Sequence, residues 1–563
     1  MTLFRSALTA LALTIAATPA YAQHASPISA QRLSDMTREL ASDAYAGRAP
    51  GGPGEQKTVD FIVAQFKDIG LTPAGDNGGW TQTVPLWRYQ TQPDGTYTLS
   101  VNGLAKALHE QTDLRIETQR PVASVSIRAA PLVFVGYGVT APERDWDDFK
   151  GVDVRGKMLL ILINDPDFEA GPGEPVAGKF GGRAAVEGGG RAATFYGRWV
   201  YKYEEALRRG AIGALIIHET AGAAYGWSTV IAGNNETYDV VRKSPVKDKL
   251  LLQGWIQRDL TVELFRNADL DFEAEKIRAR RADFRPIELK TATFSADYSN
   301  TFTRLESRNV IAALPGAKRP DETVLYAAHW DAYGIGSPDT TGATIRPGAV
   351  DDAVGVAGVI ETARAFKAGP TPDRTILFAA WTAEERGLLG SEFYAQRAEP
   401  ALAKMVANYT FDVLQTAGPA RDVILVGAGQ NELETGLAAV AARHGRTITP
   451  DAKPERALFY RADHFSLAKR GVPVMLFMGM GGGADLVDGG RAAGDAWVEA
   501  YTARCYHQTC DRWEPTQNYQ GAADDVTLAY EAGLALANST RWPDWNDSSE
   551  FKPVRARTAA ARK

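Results

Sequence analysis

Only two cysteines and seven histidines occur in the 563 residues. Past the N-terminus, no segment is long and apolar enough to cross a bilayer. The cysteines, Cys505 and Cys510, fall together in RCYHQTCD. A zinc site built on that pair alone would need ligands from elsewhere, whereas an oxidising compartment permits a local disulfide. No strong excess of either charge is present either: the net charge is -6, which gives no case for nucleic acid or an anionic membrane as partner.

What is present begins with an export pattern. Arg5 precedes an apolar run from Ala7 to Ala17, and Ala20-Tyr21-Ala22 places small residues around a cut before Gln23. Residues 1–22 therefore read as a cleaved signal peptide, which predicts a periplasmic or secreted protein without stable membrane insertion. With no cysteine near the cut, a lipoprotein is not expected. The length calls for at least two domains. Residues 23–130 carry helical and loop-like pieces and then strands such as TYTLSV. Residues 131–290 form a compact mixed unit with PLVFVGYGV, GKMLLILIND and AIGALIIHE. From 291 to 545, strand-like and helix-like pieces alternate, which predicts an α/β fold with a mostly parallel sheet. The remaining 546–563 are basic and lack apolar periodicity, so disorder is expected there.

Sites in such sheets gather at the carboxyl ends of strands, and several polar residues stand there. ETVLYAAHWD ends in His329 and Asp331; RTILFAAW leads into Glu384 and Glu385; MVANYTFDV carries Asp412. PGAVDD delivers Asp351 and Asp352, and CYHQTCD supplies His507. Singly, each has an ordinary reading, since Asp caps helices and Glu favours a first turn. Arg386 to Tyr394 is expected to open such a helix. Adjacent buried carboxylates repel one another and lose their water. A pair of divalent ions preferring nitrogen and oxygen ligands removes both costs.

In order along the chain, HWD, PGAVDDAVG, TAEERGLLGS, NYTFDV and YHQTCD resemble the co-catalytic di-zinc aminopeptidase family, which includes leucyl aminopeptidases, aminopeptidase Y and the glutamate carboxypeptidases. The 131–290 segment resembles the protease-associated domain inserted in many members. The resemblance implies a mostly parallel mixed sheet flanked by helices, the zinc exopeptidase fold, with a smaller inserted α/β–β domain. It implies two Zn2+ per chain, although cobalt or manganese suit similar ligands. His329 and Asp412 would hold one ion, Glu385 and His507 the other, and Asp351 would bridge them. Asp331 would orient the His329 ring, and Glu384 would be the general base. Tyr506 is the implied oxyanion donor with Tyr460 a second candidate, His464 is structural, and the Asp351–Asp352 peptide would be cis. Departures are Val350, Asp352 where Asn is common, and VLQTAG after Asp412. The implied activity is an exported metallo-exopeptidase cutting near the free N-terminus of peptide substrates. A carboxypeptidase or dipeptidase, a glutaminyl cyclase and a non-catalytic binding protein are the alternatives. No arginine cluster for a substrate carboxylate is identifiable from sequence, and nothing speaks to oligomeric state.

Overall fold

VLYAAH, ILFAAW and MVANYTF are apolar without alternation, the pattern of strands covered on both faces. In the computed structural model, which describes residues 27–171, 173–180, 193–231 and 235–562, they lie at the centre of one sheet. The expected signal peptide at 1–22 lies outside the described residues. Strands Arg374–Trp381, Arg319–His329, Met405–Phe411 and Val474–Phe477 are neighbours in that order, all parallel. Antiparallel strands flank them: Ile287–Leu314 on one side, followed by Thr81–Thr91, and Asp422–Val426 on the other. Helices Ala30–Leu40, Glu55–Ile69, Val354–Ala368 and Gln520–Ala537 contribute to the main apolar core against this sheet. This is the expected α/β class. The parallel centre brings the ends of the His329, Glu384 and Asp412 strands to one rim.

Ile287–Leu314, 28 residues long, serves two sheets. Its residues 300–310 pair with Thr81–Thr91, whereas 287–299 pair with Ser124–Phe134 and Thr96–Val101 in a second sheet. That second sheet has a parallel centre of Ser124–Phe134, Met158–Leu162, Gly213–His218 and Leu252–Gln257, with its own apolar core. It opens at Thr96 rather than near 131, and the strand Glu236–Val240 pairs with Thr81–Thr91 in the first sheet.

The basic tail is not disordered over its described part. Lys552–Arg557 is helical, Arg555 is 2% exposed, and its Nη1 donates to the Met405 carbonyl at 3.0 Å. Phe551 packs on Trp545. One aromatic and one arginine anchor this segment, and neither leaves the apolar periodicity that signals order in sequence.

Candidate active site

Two groups of side chains converge at the rim and share one member. His329, Asp351 and Asp412 form the first; Asp351, Glu385 and His507 form the second, the potential ligand atoms of each lying within 4.8 Å of one another. Asp351 turns one carboxylate oxygen to each imidazole: Oδ1 lies 3.1 Å from His329 Nε2, and Oδ2 lies 3.2 Å from His507 Nε2. Glu385 is also 3.2 Å from His507 Nε2, and Asp412 is 3.9 Å from His329 Nε2. The Asp351–Asp352 peptide is cis, as the resemblance implies. Tight turns aim these groups. Ala383, Val413 and His507 all have left-handed backbone, with φ of 55°, 53° and 64°, a conformation that non-glycine residues adopt seldom and chiefly where surroundings impose it. The helix after Glu385 starts at Leu389 rather than Arg386, so both glutamates stand in the turn and not in a helix.

The ring chemistry tests whether a cation fits. His329 Nδ1 faces the Asp331 backbone carbonyl at 3.0 Å. A carbonyl only accepts, so Nδ1 carries a hydrogen, and when the ring is neutral its Nε2 lone pair faces Asp351 and Asp412. Lone pair against carboxylate is repulsive without a positive centre between them. His329 Nε2 and His507 Nε2 are both buried without a hydrogen-bond partner among the described residues. Imidazole and carboxylate donors in this arrangement match the ligand chemistry of zinc.

Three further carboxylates fasten the loops that carry these groups. Asp331 accepts from the backbone N–H of Glu384 (3.0 Å) and Glu385 (3.4 Å). Its expected partner, the His329 ring, is 3.7 Å from the carboxylate and is held by the carbonyl instead, because the strand end curls the main chain toward Nδ1. Asp352 accepts from the N–H groups of His329, Gly355 and Val413 at 3.1–3.3 Å, tying two ligand-bearing strands to the start of a helix. A Cβ on Gly355 would stand 2.3 Å from both Asp352 oxygens, so only glycine fits. Asp511 accepts from Val350 N (2.9 Å), Asp351 N (3.1 Å) and the Tyr501 hydroxyl (3.1 Å). Burial pushes Asp331 and Asp511 up to about 7. Cys505 and Cys510 are joined, bracketing Tyr506 and His507. Arg48, fully buried, donates to the carbonyls of Leu40, Trp330, Pro347 and Gly348, fixing the segment before Asp351 against the His329 strand. Asp511→Ala is expected to weaken zinc binding about 10- to 100-fold, measured by competition with a chromogenic chelator.

Glu384 belongs to neither ligand group. It is 9% exposed, lines the cleft over the rim, and approaches His329 Nε2 only to 4.0 Å. Burial, opposed by His329 and reinforced by Asp412, Glu385 and Asp463, holds its carboxyl well above the usual range. Tyr506 also lines the cleft, and burial keeps its phenol protonated. Tyr460 instead donates to Glu550 at 2.9 Å. His464 is buried against Phe459, and burial lowers it to about 3. Sequence reading assigned no role to Arg48, Asp463, Arg461 or Asp511. Asp463 is 1% exposed within electrostatic reach of His329 and Asp331. The available signals were the Asp that ends YHQTCD and the Arg and Asp within FYRADHF.

Residues 309–530, which hold every residue of the two ligand groups and Glu384, match the model of Peptidase family M28. Over 105 residues the chain is 40% identical to a probable zinc metalloprotease of Pyrenophora teres f. teres, covering 19% of this chain and 22% of that protein. Over 208 residues it is 29% identical to leupeptin-inactivating enzyme 1 of Streptomyces exfoliatus, covering 36% and 42%. The chain thus spans less than half the length of these curated relatives. Among solved structures it is similar to an aminopeptidase from Aneurinibacillus sp. strain AM-1, at 21% identity over 90% of this chain and 93% of that one, with a TM-score of 0.48. It is also similar to BSAP, a zinc aminopeptidase from Bacillus subtilis, at 18% identity over 94% and 99%, with a TM-score of 0.43.

Proposed function

We propose that the chain is an exported di-zinc aminopeptidase that removes N-terminal residues from peptides. The observation that carries this reading is Asp351 shared between two ligand groups, with Glu384 beside them on the cleft but in neither. His329 and Asp412 would hold one zinc and Glu385 and His507 the other. Zinc bound there supplies a Lewis acid and an acidified water. Glu384 takes a proton from the attacking water and returns it to the leaving amine nitrogen. Tyr506, kept as a phenol by its burial, donates a hydrogen bond to the oxygen on which charge develops. Tyr460 is committed to Glu550 and does not compete for this role. The joined Cys505 and Cys510 support the reading of residues 1–22 as an export signal, since disulfides persist in oxidising compartments.

The test uses leucine p-nitroanilide and Leu-Gly-Gly beside N-acetyl-Leu-Gly-Gly, with metal content measured on the same protein. Turnover of the free-amine substrates, its loss in 1,10-phenanthroline and its return with zinc are the expected results. The blocked peptide is expected to be cut at least about 10²-fold more slowly, the scale on which a site that pairs one substrate group rejects its absence. Equal cleavage of free and blocked peptides would refute the aminopeptidase polarity, and full activity in chelator would refute the metal.

A further inference from the structure

Both sheets contribute to the wall of the cleft of about 470 Å³ over the ligand groups, where Phe195, Tyr460 and Phe465 line the same cavity as Asp351, Glu384 and His507. Phe195 leads into the helix Trp199–Arg208, whose Tyr203 and Ala206 share a core with strands Met158–Leu162 and Gly213–His218 of the second sheet. Tyr460 and Phe465 share theirs with Val474–Phe477 of the first. The seam between the two sides is aromatic: the Phe195 ring centre lies 5.1 Å from that of Phe465 and 6.5 Å from that of Tyr460. Apolar contact is non-directional, so rings alone do not fix how far the two sides stand apart. Two polar contacts cross beside the rings, Ala193 N to the Pro454 carbonyl at 3.3 Å and Lys469 to Glu204 at 3.4 Å, and both are partly exposed.

Glu550, from the C-terminal segment, stands behind this wall with its side chain only 7% exposed. Its Oε1 accepts from the Tyr460 hydroxyl at 2.9 Å and from the Phe195 backbone N–H at 3.4 Å, one donor from each side of the seam. Its Oε2 lies 3.8 Å from Arg144 Nη2, and Arg144 Nη1 donates to the carbonyls of Lys179 and Phe180, the latter in the core of the second sheet. The C-terminal segment has its own anchors on the first sheet's side, Phe551 on Trp545 and Arg555 on the Met405 carbonyl, and does not need Glu550 for attachment. A carboxylate withdrawn from water is costly unless donors meet it, and an ionised acceptor makes the stronger hydrogen bonds. Here the donors come from the two sides of one seam. We propose that Glu550 is a positioning residue: a single carboxylate gathers Tyr460 and Phe195 to one point and so sets the width of the cleft and its affinity for peptides. It acts through those two residues and belongs to neither ligand group. This rests on the cleft being the peptide site of the reading above.

On the zinc-loaded enzyme, Glu550→Ala is expected to raise KM for Leu-Gly-Gly about 10-fold, the scale of one lost charge-assisted contact, with kcat within about twofold of the parent's. Zinc content is expected to stay at the parent's level. Glu550→Gln keeps an acceptor oxygen toward Tyr460 and Phe195 and is expected to recover most of the affinity. Tyr460→Phe removes the same bond from its other end, so adding it to Glu550→Ala is expected to raise KM by less than it does alone. Independently of turnover, amide hydrogen exchange over 193–199, followed by mass spectrometry, is expected to quicken in Glu550→Ala and to stay near the parent's in Glu550→Gln. Parental KM and parental exchange in Glu550→Ala would overturn the proposal, as would a fall in kcat with KM unchanged, or a Glu550→Gln as impaired as Glu550→Ala. Should Glu550→Ala fail to fold and load zinc, Tyr460→Phe carries the test: a raised KM supports the proposal and a parental KM overturns it. A parent that does not cut Leu-Gly-Gly would defeat the aminopeptidase reading, and exchange over 193–199 then decides the role of Glu550 alone.

Discussion

Glu384→Gln is expected to slow turnover about 10²–10⁴-fold while the zinc content stays at the parent's level. The amide keeps the size and one oxygen of the carboxylate but neither accepts a proton at neutral pH nor returns one. Glu384 takes no part in either ligand group, so the loss falls on the transition state and not on the ground-state site. Substrate KM is expected to change little. The check is metal analysis and kinetics on one preparation. A variant that lost zinc in step with activity would move Glu384 into the coordination sphere and leave the base unassigned.

Asp351→Ala is expected to have the larger effect. Its two oxygens face His329 and His507 from a single side chain, so removing it strips both groups at once. Zinc content is expected to fall toward zero and turnover by more than about 10⁴-fold, since water activation goes together with proton transfer. Stability should move with zinc. The parent gains binding energy from loaded metal and the variant does not, so added zinc is expected to raise the parent's melting temperature and leave the variant's unchanged. A variant that still bound one zinc at parental affinity would show that the two groups are independent.

His329, Glu384, Glu385 and Asp412 were legible in the sequence because each sits at or just past the end of an apolar run, whereas the ligand roles of Asp351, before a helix, and His507, between the cysteines, came from the family resemblance. A buried strand is a local pattern, and its end is marked by the first charged residue. What could not be read is what holds those ends together. Asp352 and Asp511 bond to backbone N–H groups, which every residue carries, so nothing in the sequence marks their partners. Asp331 shows the same limit from the other side: strand periodicity aimed its carboxylate at the His329 ring, but the turn substituted its carbonyl. Arg48 reaches carbonyls about 300 positions away, a contact only the fold defines.

The strand Ile287–Leu314 also governs how the chain is made. Both sheets draw on it, so the second sheet is incomplete until translation has passed residue 299, and the first until later still. Gln92 and Thr301, hydrogen-bonded neighbours, stand 209 positions apart. At about 5–20 residues per second, the strand Thr81–Thr91 waits roughly 10–40 s for its partner. Tyr238 and Val240 reach Val84 and Leu86 earlier, but until residues 300–310 arrive the strand's other edge is open to the wrong neighbour. A fragment that stops before residue 287 lacks a strand of both sheets. Two sheets thus await one strand.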